Sequence, residues 1–157
     1  MVHDLGLAVI AGIIGTIVMT SLMLIAKRMN LPAVDAHGIL GYMQHADRAS
    51  VLGYLMHGFL GAIFGIGYVL VFLYVPSNLM LMSILLGIVH WLIVGWMFAL
   101  APLAHAGMKA GTIEPTGAYM LKSLGFVGFI AGTIGHIVFG ITVAVVYITL
   151  GGTVAVV

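Results

Sequence analysis

The stretch ASVLGYLMHGFLGAIFGIGYVLVFLYV, residues 49–75, contains no Lys, Arg, Asp or Glu and carries one histidine, His57. A hydrocarbon core of about 30 Å needs roughly twenty residues rising about 1.5 Å each, so the run reads as a membrane-spanning helix. Three other runs meet the same test: residues 5–26, 79–103 and 126–150. Apolar types make up 63% of the 157 residues, against only five Lys or Arg and four Asp or Glu. That balance excludes an ordinary soluble domain. The expected fold class is all-α, an integral membrane four-helix bundle forming a single transmembrane domain over residues 1–157.

No Lys or Arg precedes the first run, whereas Lys27 and Arg28 follow it. It is therefore expected to be a retained helix rather than a signal peptide. All five basic residues (Lys27, Arg28, Arg48, Lys109, Lys122) fall in the connections between helices 1 and 2 and between helices 3 and 4. Positive-inside bias makes those longer loops cytoplasmic and leaves both termini and the Val75-Pro76-Ser77-Asn78 turn outside, an N-out/C-out chain. Within the loops, short interfacial helices are expected at 35–44, capped by Asp35, and at 115–122, opened by Pro115. Without cysteine the chain has no disulfide and no thiolate metal site.

The segment GYLMHGFLG at 53–61 has a counterpart, GTIGHIVFG at 132–140. Both read Gly-x3-His-x3-Gly. The offset of 79 residues that aligns His57 with His136 also aligns Gly53 with Gly132, Gly61 with Gly140, Tyr68 with Tyr147, Met29 with Met108 and Asp35 with Glu114. This predicts a tandem duplication of a two-helix hairpin, a parallel repeat about an axis along the membrane normal.

Residues four apart share a helix face, so Gly53, His57 and Gly61 form one stripe, and Gly132, His136 and Gly140 another. Two uses fit. Small residues every four positions let membrane helices approach closely, with the histidine as a buried hydrogen-bonding residue. Alternatively, intramembrane ionisable residues mark functional sites. Glycines beside a histidine leave a bare groove, and the repeat would set His57 and His136 at one depth as paired axial ligands of haem b, with the four glycines clearing space for the macrocycle. Diagonal helices in a tight bundle put such Cα atoms roughly 9–10 Å apart, whereas a bis-imidazole iron needs roughly 12 Å, so haem would require a splayed bundle. A bare metal tolerates a bent arrangement, and His90, deep in helix 3 beside Trp91, is the natural third ligand to zinc or copper with His57 and His136.

Other features are weaker. Asp35-Ala36-His37 and His45-Ala46-Asp47, with His105 and Glu114, form a loop set that suits divalent metal or proton handling but also reads as a solvated polar face. Tyr68 and Tyr147 are expected at the outer interface as anchors. Met19, Met23 and Met56 are flexible filler or soft donors for Cu(I). The chain shows no Ser-His-Asp spacing, no P-loop, no dinucleotide fingerprint and no basic patch for nucleic acid.

Four segments, AGIIGTIVMTSLMLIAKRMNLP, GYLMHGFLGAIFG, LLGIVHWLIVGWMFALAPLAHAGM and GHIVFGITVAVVY, resemble in order a family of small four-helix prokaryotic membrane proteins catalogued as a domain of unknown function. The resemblance spans nearly the whole chain and covers His57, Pro102 and His136. It implies the architecture and a prokaryotic inner-membrane, multi-pass location, and it supplies no activity. The expected role is a non-enzymatic integral subunit, in contact with the lipid bilayer, that packs against larger membrane partners or copies of itself, as accessory subunits of respiratory or oxidoreductase complexes do. The alternatives are a haem b or metal-binding electron-transfer protein using His57 and His136, and a small transporter or channel. For the last, spans 1 and 2 offer few polar residues beyond Thr16, Thr20, Ser21 and His57.

Overall fold

The computed structural model describes residues 2–31, 39–40 and 49–155. Four helices in it are long and apolar enough to cross a membrane. Helix α1 is Val2–Arg28, α2 is Ala49–Tyr74, α3 is Leu79–Met97 and α4 is Leu121–Thr149. A 3₁₀ turn, Phe98–Leu100, and a short helix, Ala101–Ala104, extend α3. Among the described residues there is no strand.

What decides which face of α1 turns inward is side-chain size. On α1 the buried residues are Ala8, Ala11, Gly12, Gly15, Thr16, Met19 and Thr20, whereas Ile10, Ile13, Ile17 and Ile25 are exposed. Lipid is as apolar as isoleucine, so burying large aliphatics between helices gains little, and close backbone approach selects small residues instead. The same logic builds the seams. A Cβ placed on Gly12 would strike the carbonyl of Gly61, and one on Gly61 would strike the Thr16 hydroxyl, which fixes α1 against α2. Gly87 lies against the backbone of His136 and Ile137, and Gly140 against that of Ser83, which fixes α3 against α4. Gly15 on α1 meets the Phe139 ring and Val143 of α4, the third principal seam. Helix α2 meets α3 and α4 only sparsely.

The chain ends and the α2–α3 turn share one end of the bundle. Asn78 caps α3 there by accepting from the Leu81 N–H at 3.0 Å. Asp4 is buried, and its Oδ1 lies 2.7 Å from the Thr153 hydroxyl and 2.8 Å from that of Tyr147. The Ala155 N–H donates to the Phe72 carbonyl at 2.8 Å. Above this knot the core is packed with Ala8, Tyr68, Val69, Phe72, Val143 and Tyr147.

Two expectations change. Tyr68 and Tyr147, read as interfacial anchors, are 3% and 0% exposed, because each hydroxyl finds a polar partner inside the bundle. Pro115 does not open a helix. Residues 114–117 are non-helical, Gly117 has φ 73°, and Tyr119 and Met120 take left-handed values of 52° and 57° around a 3₁₀ turn, so the helical path begins afresh at Leu121. Gly125, at φ 61°, interrupts its first turn, so the unbroken helix starts where the apolar run does, at Phe126. Most of the helix expected at 35–44 lies outside the described residues, Ile39 and Leu40 alone being described, and helical.

Candidate functional site

At the end of the bundle away from the termini the helices part around a cavity of about 450 Å³. Its walls come from all four helices, and three of its lining residues are His57 of α2, His90 of α3 and His136 of α4. Apart from Thr16 the remaining surface is apolar or aromatic, including Met19, Met23, Phe64, Trp91 and Phe139.

Each histidine has its own support. The His136 Nδ1–H donates to the Gly132 carbonyl one turn back, at 2.8 Å. A carbonyl oxygen can only accept, so in the neutral ring this bond fixes the proton on Nδ1 and leaves Nε2 as a lone-pair acceptor. The His90 Nδ1 stands 3.4 Å from the Tyr68 hydroxyl, and its ring stacks on Phe64 with centroids 3.6 Å apart. Nδ1 is the only ring nitrogen of His90 and of His136 that bonds to protein among the described residues. His57 Nδ1 lies 3.2 Å from the Thr20 hydroxyl of α1.

The ring that meets His136 is that of His90, at 4.6 Å and 87°. The sequence pairing of His57 with His136 is thus joined by a contact of His90 with His136, and all three share the cavity. Among the described residues no group of three His, Asp or Glu side chains stands close enough together to hold one metal ion. Nor are the glycines beside the histidines bare grooves. Gly61 is filled by Thr16 and Gly12, Gly132 by the Trp91 indole, and Gly140 by Ser83 and Tyr68. Gly53 is buried. Room for a ligand lies in the cavity, which Gly61 and Gly132 line beside the three imidazoles.

Trp91 is the residue whose part the sequence reading missed. It is 2% exposed, tilts against His136 with centroids 5.0 Å apart, and its Nε1–H has no hydrogen-bond partner among the described residues. A signal was present: Gly87, Trp91 and Gly95 repeat the Gly-x3-X-x3-Gly spacing with tryptophan at the centre, and all three are buried. Trp96, by contrast, is exposed.

Of the polar residues considered for a conduction path, Thr16 and His57 line the cavity and Thr20 stands against His57. The hydroxyls of Thr16 and Ser21 donate to the carbonyls of Gly12 and Ile17 on their own helix. His105, read as part of a solvated loop set, is 1% exposed and accepts from the Met108 N–H at 3.2 Å, capping the short helix Ala106–Lys109. Asp35, His37, His45 and Asp47 lie outside the described residues. Of the methionines considered as soft donors, Met19 and Met23 line the cavity.

Comparison with protein-family models, with curated proteins and with solved structures gives no match.

Proposed function

We propose that the protein is a non-enzymatic integral membrane subunit whose working part is the histidine-lined cavity, and that this cavity holds a small lipophilic ligand. One observation carries the reading: imidazoles from three different helices meet in one apolar cavity, and two of them use only Nδ1 toward the protein among the described residues. Polar side chains inside a membrane bundle are costly unless partnered. Helix packing would need no space between them, whereas about 450 Å³ lies within the usual range of about 300–1,000 Å³ for small-molecule sites. Native mass spectrometry of the protein purified in mild detergent tests this. A small molecule retained by the wild type and lost in His136→Ala supports the proposal, and a bare chain in membranes, detergent and extract alike refutes it.

A second reading, haem b or a metal held by His57 and His136 with His90 adjoining, is favoured by their sharing the cavity. An absorption spectrum separates it from the first, because a Soret band removed equally by His57→Ala and His136→Ala requires axial ligation by both.

The wider proposal is a duplicated hairpin, N-out/C-out in a prokaryotic inner membrane, bound to larger membrane partners as an accessory subunit or to copies of itself. Supporting the duplication, Gly61 and Gly140 sit at equivalent places in the α1–α2 and α3–α4 seams. The five basic residues support the orientation. Single-cysteine labelling should reach residue 78 from outside and residue 112 only after permeabilisation; the reverse pattern would invert the topology.

A further inference from the structure

Several residues that line the cavity also face outward. Leu22 on α1 and Val127, Ile130 and Ile134 on α4 are cavity walls that are exposed on the bundle surface. Nearer the termini α1 and α4 are in contact, Gly15 against Phe139 and Met19 against Gly135, and beyond Met19 they diverge around the cavity. The outward-facing rim is wholly aliphatic, so it opens toward lipid rather than toward water. A ligand using it must be soluble in the bilayer.

The polar atoms inside narrow the chemistry. Trp91 contributes an aromatic wall only, its Nε1–H being buried away from the cavity space. The His136 Nε2, in the neutral ring fixed by Gly132, can only accept, so it calls for a donor. Phe64, Trp91 and Phe139 supply flat apolar walls. A hydroxyl on a planar ring meets both demands at once, since it donates to the imidazole and lies flat between aromatics.

We propose that the cavity takes the ring of a membrane quinol, a planar hydroxyl-bearing lipophile, through the gap between α1 and α4, with its aliphatic tail left in the bilayer. The inference rests on the ligand-binding reading above and concerns binding alone. Because a quinone carbonyl cannot donate to the His136 Nε2, the reduced ring binds more tightly than the oxidised one.

Calorimetric titration of the purified protein with decylubiquinol and with decylubiquinone, both anaerobic, tests this. The quinol should bind with about five- to tenfold higher affinity, the worth of one hydrogen bond. His136→Phe should abolish that preference while leaving quinone binding in place. Ile134→Trp, a lipid-facing change at the rim that touches none of the polar atoms, should slow association of both. Equal affinity for the two forms, or a preference that survives His136→Phe, overturns the proposal. If neither probe binds while native mass spectra still show another molecule lost in His136→Ala, the quinol assignment falls and the binding pocket stands. If nothing is retained and neither probe binds, both fall.

Discussion

The two ends of this bundle are made of the same helices and behave differently. Toward the termini, α1 presents Ala8, Ala11 and Gly12, the helices touch backbone to backbone, and buried Asp4 ties Tyr147 to Thr153. Away from the termini the inward residues are larger and polar, His57, His90, Trp91 and His136, and the helices stand apart around a cavity. In a membrane, inter-helix distance follows side-chain size on the facing stripes, because no hydrophobic force closes a gap that lipid-like side chains can line. Small residues on α1 therefore close the terminal end tightly over the Tyr68, Phe72 and Tyr147 core as a scaffold, and the polar ones make the other end a site.

The strongest way to break that contrast is to put bulk into the seams. Gly61→Leu or Gly140→Leu forces a side chain into the backbone of the facing helix and should cost about 3 kcal/mol or more, read as a large fall in thermal unfolding temperature in detergent. Gly58→Leu and Gly67→Leu add the same bulk where a Cβ meets nothing, and should be close to neutral. Equal losses at all four positions would mean that the seams do not set the packing.

Next in size is the knot at the terminal end. Asp4→Ala strips the acceptor from Tyr147 and Thr153 and should destabilise by about 1–3 kcal/mol, without altering ligand binding at the other end. Tyr147→Phe removes one hydroxyl of that knot and should cost about 1 kcal/mol in the same unfolding assay. A loss of binding in either variant would show that the two ends are coupled rather than separate.

The smallest effect on stability is expected where function is proposed. His136→Ala removes a side chain that already faces a cavity, and should cost about 0.6–2 kcal/mol, the usual worth of a membrane hydrogen bond, while weakening ligand binding. A collapse of the fold on this change would make His136 a packing residue and return the site to the scaffold.

Four apolar runs, and the charges and turns between them, were enough to establish the spans, since length against bilayer thickness is a one-dimensional quantity. Span α2 ended within a residue of the reading, at Tyr74, and the unbroken part of α4 began at Phe126, where the apolar run begins. Spacing also picked out the stripes: Gly61 and Gly140 are seam residues, and His57 and His136 face a common space. What spacing could not give was the occupant of each glycine face. Gly132 looks in sequence like room beside a ligand, yet the Trp91 indole from another helix fills it. The burial of Tyr68 and Tyr147 depended likewise on His90 and Asp4, partners 22 and 143 residues away. Periodicity along one helix determines which residues share a face. Only the rotation and separation of the helices, fixed by pairwise fit between distant side chains, decided that His90 would meet His136 and that a cavity would remain between them.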